Sequence, residues 1–179
     1  MKQTGRCYCG DLHYEFKGSV HSQILCHCRE CRYLSGGSAN ASIVISEESF
    51  QWTKGEPKTY QRSDLETPRT RFFCESCGTH ICVKSPPRPG MLVLKIGSLD
   101  DHSWFKPEAA IYCCDKQEFH VIPEGIKLLD KAWNLQVFWR FRSNEIVYPH
   151  LCAAFPPKLP NFNTSENSSI DFLSAVSSM

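Results

Sequence analysis

Seven of the chain's eleven cysteines stand in three short clusters: Cys7 and Cys9, then Cys26, Cys28 and Cys31, then Cys74 and Cys77. Thiols at this density are a metal-ligand framework in a reducing compartment and poor disulfide partners there. Zinc holds thiolates at about 2.3 Å in tetrahedral geometry, so neighbouring sulfurs must lie roughly 3.8 Å apart. Residues i and i+2 of a flat strand are nearly ~7 Å apart. A chelating Cys-x-Cys therefore needs a turn or bulge, and a glycine just after the second cysteine eases it by accepting φ > 0. "CYCG" and "CESCG" carry that glycine, Gly10 and Gly78, whereas Arg32 follows Cys31. Pairing the two glycine-marked clusters makes Cys7, Cys9, Cys74 and Cys77 one closed zinc site. Its role is structural, with metal binding contributing to the folding free energy.

Cys26, Cys28 and Cys31 remain. A zinc ion with three protein ligands keeps a position for water or substrate, the pattern of a catalytic site. The competing reading closes this site too, with a fourth ligand drawn from His27, His80, Cys82, Cys113 or Cys114. His27 is the poorest of these, since it lies between two ligating neighbours and should point away. Spacing alone leaves the open and closed readings both standing. Iron competes for four thiolates, but no iron–sulfur spacing is present.

The 179 residues fit one domain with a tail, and 41% hydrophobic with 12% aromatic content suffices for a core. Twenty basic against nineteen acidic residues leave a formal charge of +1, no electrostatic footprint for nucleic acid. "PRTRFF" and "FWRFR" read as solvated arginines flanking apolar strands. No run approaches the roughly 18 apolar residues of a membrane span. "MKQTGRCYCGDLHYEF" has no apolar core of signal-peptide length. The expectation is a cytoplasmic chain with no membrane and no nucleic-acid partner.

Residues 1–125 read mainly as β. Strands are predicted at Ser42–Ile45, Ser49–Trp52 and, most strongly, Met91–Leu99. "TRFF" and "THICV" flank Cys74 and Cys77 as a hairpin tipped by a metal knuckle. "DDHSWF" predicts one helical turn begun by Asp100 or Asp101. "AIYCC" reads as a strand with Cys113 and Cys114 as two buried small residues. Residues 126–155 form an extension expected to pack on the domain. There Ile126, Leu129 and Trp133 are spaced like a helix face, while Leu135, Val137, Trp139 and Phe141 alternate like a strand. Residues 156–179, rich in Pro, Asn and Ser, read as a polar tail.

The order "CYCG … CHCRECR…SGG … W…KGEPKTY … FFCESCGTH … IGSLDD" resembles the glutathione-dependent formaldehyde-activating enzyme family, which includes centromere protein V. The likeness runs from about Gly5 to Glu124. It implies a mainly β, β-tent fold of small antiparallel sheets with little helix. It also implies two zinc ions: a structural one on Cys7, Cys9, Cys74 and Cys77, and a catalytic one on Cys26, Cys28 and Cys31. Family members join formaldehyde to glutathione as S-(hydroxymethyl)glutathione, so the resemblance implies a zinc carbon–sulfur lyase whose partner is a small thiol. The alternative is a non-catalytic, zinc-stabilised binding or scaffold module.

Zinc bearing three thiolates is electron-rich, which favours holding a thiol as fourth ligand over polarising a carbonyl. Glutathione's carboxylates need cationic or N–H partners, and Arg29, Arg32, Lys54 and Lys58 lie in suitable segments. Each reads more simply as a surface charge. Glu30 reads as solvent-facing, and no side chain stands out as a general base.

Overall fold

The protein was studied as a computed structural model in which residues 2–131 are described. The expected 156–179 tail, most of the 126–155 extension and the Leu135–Phe141 alternation lie outside the described residues.

The chain is mainly β. In order it forms β1 (Lys2–Arg6), β2 (His13–Lys17), β3 (Ser22–Cys26), α1 (Arg29–Leu34), β4 (Asn40–Ser46) and β5 (Phe50–Lys54). There follow β6 (Lys58–Tyr60), β7 (Thr70–Phe73), β8 (His80–Lys84), β9 (Met91–Lys95), β10 (Ala109–Ile111) and β11 (Lys127–Leu129). Strands β1, β2 and β5 make a three-stranded sheet. The other eight form a second sheet in the order β11-β10-β3-β4-β9-β8-β7-β6.

The second sheet corrects the expectation of purely antiparallel pairing, because β10 runs parallel to both β3 and β11. After β9 the chain crosses the molecule and returns beside β3 in the same direction, which sets Ile111 next to Cys26. The Lys127–Leu129 segment is a strand, against the helix face expected there; Trp133 lies outside the described residues. Met91–Leu99 is extended only to Lys95 and then tightens into a 3-10 turn at Ile96–Ser98. "DDHSWF" forms no helix. Asp101 Oδ1 instead accepts from the Ser103 N–H at 3.0 Å and from its hydroxyl, the local side-chain turn that competes with a helix start.

Strand periodicity gives the large sheet two unlike faces. On one, Ile43 and Ile45 of β4, Leu92 and Leu94 of β9 and Cys82 of β8 pack with Tyr14 and Phe16 of the small sheet, and with Leu12 just before β2, as the main core. Burying each aliphatic or aromatic side chain there contributes about 1.5–3 kcal/mol. Directly opposed residues share a face, so register fixes what the other side carries. Cys26 stands opposite Asn40. Lys95 stands opposite Ser42, and Arg71 opposite Val83. A buried cysteine, lysine and arginine thus lie on the second face of a sheet whose first face carries the main apolar core.

Candidate metal centres

The residues around Cys7 and Cys74 are built by two turns. Cys7 N–H donates to the Leu12 carbonyl at 3.0 Å, and Cys74 N–H to that of Thr79 at 3.0 Å. Gly10 and Gly78 hold φ of 79° and 71°, a left-handed conformation in which a Cβ is strained. Each closes back on the first cysteine of its pair: Gly10 N–H donates to the Cys7 carbonyl and Gly78 N–H to that of Cys74. The resulting bends bring the four sulfurs of Cys7, Cys9, Cys74 and Cys77 within 4.8 Å of one another. Cys7 and Cys9 Sγ are 3.4 Å apart, and Cys9 and Cys74 Sγ 3.6 Å. A tetrahedral zinc needs about this spacing. The donor set therefore fits a zinc ion.

Hydrogen-bond donors of the loops serve these sulfurs. Leu12 N–H lies 3.3 Å from Cys7 Sγ, and the Thr79 hydroxyl 3.1 Å from Cys77 Sγ. The Thr79 hydroxyl, with the Cys9 and Thr79 backbone, holds the Cys77 thiol down to about 5.

Cys26, Cys28 and Cys31 form the other group, their sulfurs also within 4.8 Å of one another. Cys26 ends β3, and the chain turns at once into α1, a helix of one and a half turns that the sequence does not announce. Cys28 is its N-cap, with Sγ accepting from Cys31 N–H at 3.4 Å. The cysteines pack on an apolar cluster of Ile24, Ala109 and Ile111, with Tyr112 and Leu129 against it. Among the described residues, no fourth His, Cys, Asp or Glu joins these three. Three convergent thiols likewise suit zinc, with a further position available for a ligand.

The sequence candidates for a fourth ligand are placed elsewhere. His27 is fully buried and pairs with His120, their Nδ1 atoms 2.8 Å apart. His120 Nε2 lies 2.8 Å from the Gly37 carbonyl, which can only accept, so Nε2 carries the proton. His120 Nδ1 is then an acceptor, and His27 Nδ1–H donates to it. Cys82 belongs to the main core, and burial pushes its thiol up to about 12. Cys113 and Cys114 correct the expectation of buried residues on a strand. Tyr112, at φ 56°, breaks the extended chain, and both thiols fall in the 3-10 turn that follows, Cys114 exposed. Tyr112 is the one non-glycine residue at positive φ among those described.

Glu30 corrects a second expectation. It is not a free surface acid, for three arginines converge on it. Arg71 Nη2 lies 2.5 Å from Oε2, Arg62 Nη1 3.0 Å from Oε1, and Arg69 Nη1 3.5 Å from Oε2. "PRTRFF" is therefore not a pair of solvated arginines: Arg71 is 8% exposed, fixed by an acid 41 residues earlier. Lys95, also 8% exposed, reaches Asn40 Oδ1 at 2.9 Å and Ser42 Oγ at 3.2 Å. Hydrogen bonds from Cys26 and Cys28 hold the Cys31 thiol down to about 3, and the charges of Lys95 and Arg71 add to this. Burial pushes the Lys95 amine down, opposed by Cys31, Cys26 and Cys28. Arg69 lies within electrostatic reach of Cys28, and Arg88 of Cys26.

The cations expected to meet ligand carboxylates have partners of their own. Arg29 lies over the Tyr33 ring, Lys54 donates to the Gly10 carbonyl at 2.7 Å, and Lys58 pairs with Glu75. Arg32 Nε is buried without a partner among the described residues. No helix among those residues is long and apolar enough to cross a membrane.

No curated protein matches the chain. Among solved structures, a crystal structure of a Rhodobacter sphaeroides protein from a structural-genomics programme aligns with a TM-score of 0.48 at 17% identity. It covers 56% of this chain and 91% of its own. The model of the glutathione-dependent formaldehyde-activating enzymes matches residues 2–115, most of the described chain and both cysteine groups. The chain belongs to that family.

Proposed function

We propose that the protein is a zinc-dependent carbon–sulfur lyase that makes and breaks S-(hydroxymethyl)glutathione or a closely related thiol adduct. One observation carries the reading. Two cysteine groups of like geometry differ in number, four sulfurs against three, with no fourth ligand for the second among the described residues. Cys7, Cys9, Cys74 and Cys77 are the structural set. Cys26, Cys28 and Cys31 are the set at which the substrate sulfur binds. Zinc on those three thiolates would supply a coordination position that lowers the pKa of a thiol and presents it as thiolate at neutral pH.

The chain's own residues support such a site. α1 holds Cys28 and Cys31 rigidly, since Cys28 caps the helix that carries Cys31. The apolar floor of Ile24, Ala109 and Ile111 keeps water from the inner side of the sulfurs. Arg71 and Lys95 offset the negative charge that a further thiolate brings. In the addition direction the substrate sulfur bonds to the carbonyl carbon, the carbonyl π pair moves to oxygen, and that oxygen takes a proton from water. The cleavage direction is the reverse.

The test is exchange between formaldehyde hydrate and S-(hydroxymethyl)glutathione, followed by NMR. The zinc-loaded protein is expected to accelerate exchange above the spontaneous rate, and Cys31→Ser to abolish the acceleration. A folded, two-zinc protein without acceleration would favour the non-catalytic scaffold reading.

A further inference from the structure

A cleft of about 410 Å³ opens between the C-terminal end of α1 and the turn that follows Cys77. Leu34 and Thr79 stand on its walls, and Asn40, His80 and Lys95 line it. Three hydrogen-bonding valences there are unmet. Lys95 Nζ donates to Asn40 Oδ1 and Ser42 Oγ, both neutral, which leaves one of its three N–H groups. Among the described residues, no carboxylate lies within ion-pair distance of it. Both ring nitrogens of His80 are buried and without a partner among the described residues. A neutral imidazole has one donor and one acceptor to satisfy. Buried polar groups left without partners are costly.

Two of the three are donors that line one cleft, the Lys95 ammonium and the imidazole N–H, and a small oxyanion accepts from both. Its place is also informative. Asn40, the acceptor of Lys95, stands directly opposite Cys26 in the sheet, so Lys95 lies on the face that carries the three-cysteine group.

We infer that Lys95 and His80 form an oxyanion site for a small carboxylate or alkoxide oxygen. The site deepens the proposed lyase reading and rests on it only for the identity of the natural ligand. In thiol addition, as the sulfur–carbon bond forms and the π pair moves to oxygen, negative charge passes from sulfur to that oxygen. The Lys95 ammonium holds it until water supplies the proton, and His80 N–H completes the pocket.

The probe is formate, a one-carbon oxyanion, titrated into the zinc-loaded full chain with lysines labelled at Cε. The Lys95 resonance is identified by its absence from Lys95→Met. It is expected to move saturably with formate and not with chloride at equal ionic strength. His80→Phe is expected to weaken the half-point by at least about 10-fold, as loss of a charge-assisted site requires. Methionine matches lysine in length, and a melting curve checks that Lys95→Met folds. His80→Phe carries the test if it does not. Lys95→Met is further expected to keep both zinc ions and, measured at saturating glutathione, to lose about 100-fold in exchange rate, the usual cost of an oxyanion-stabilising group. A Lys95 resonance that does not saturate, or a His80→Phe protein that binds formate equally well, overturns the site. Formate binding in a wild-type protein that catalyses nothing would instead keep the site and remove the lyase reading.

Discussion

The two cysteine groups have nearly the same sulfur geometry and opposite surroundings. Cys7, Cys9, Cys74 and Cys77 are served by their own loops, through the Leu12 N–H and the Thr79 hydroxyl. The charges beside them are paired in opposite sign, Asp11 within electrostatic reach of Lys54 and Glu75 on Lys58. Cys26, Cys28 and Cys31 have instead drawn cations from distant strands: Arg69 and Arg71 of the β7 region, Arg88, and Lys95 of β9. Glu30 is the acid that anchors two of them. A closed four-thiolate centre has fixed charge and needs only local donors. A three-thiolate centre that accepts an anionic ligand changes charge in use, and nearby cations lower the cost of that change.

The sharpest way to break this contrast is to exchange the cysteines. Cys74→Ser or Cys77→Ser is expected to leave the chain unfolded. Structural zinc is worth about 10–16 kcal/mol, comparable to or above a domain's whole stability of about 5–15 kcal/mol. Cys28→Ser or Cys31→Ser should give a folded protein with one zinc fewer. Metal content with thermal melting decides, and equal loss in both pairs would mean that the groups are wrongly sorted.

Chelation sharpens the same contrast with a milder effect. A competing chelator at neutral pH should remove zinc in two phases, the first from the three-cysteine group without loss of far-ultraviolet circular dichroism. Acid should release zinc as well, because thiolates must stay deprotonated to hold it. A single phase accompanied by unfolding would contradict it.

Glu30→Gln isolates the charge difference. It leaves Arg71 buried and without its acid, at a cost of about 1–3 kcal/mol. The second zinc should bind more weakly while the first is unchanged, read by metal content after dialysis at graded zinc concentration.

The smallest effect is a control remote from the cysteines. Lys2 and Lys17 hold the Glu15 carboxyl down to about 2. A depressed folded pKa contributes stability above the ordinary value of 4.5, which is lost as pH falls toward 2. Glu15→Gln should melt slightly lower at neutral pH and show a flatter pH profile between those values.

Much of the cysteine arrangement was legible, because glycine after a Cys pair reports a backbone requirement within four residues. The knuckle hairpin was legible for the same local reason, from Thr70–Phe73 and His80–Lys84 on either side of Cys74 and Cys77. What the sequence hid depends on distant partners. α1 is six residues long and capped by a cysteine, so neither periodicity nor an ordinary cap marks it. The parallel pairing of β10 with β3 joins segments 85 residues apart, at Ala109 and Ile24, with no turn signal between them. Glu30 reads as a surface acid until β7 brings its arginines. Lys95 had a signal: a charged residue closing the apolar run "MLVLK" on a strand buried on both faces needs a polar partner or a function.

The central claim, that the three-cysteine group accepts a thiol where the four-cysteine group cannot, is tested most directly by calorimetric titration of the two-zinc protein. Glutathione and S-methylglutathione are compared at pH 6 and pH 8. Coordination requires a deprotonated sulfur and releases its proton, so glutathione should bind at least about 10-fold more tightly at the higher pH. The thioether cannot ionise and should bind far more weakly at both. Equal affinities for the two ligands, with no dependence on pH, would contradict an open centre and with it the account of the cations around Cys26, Cys28 and Cys31.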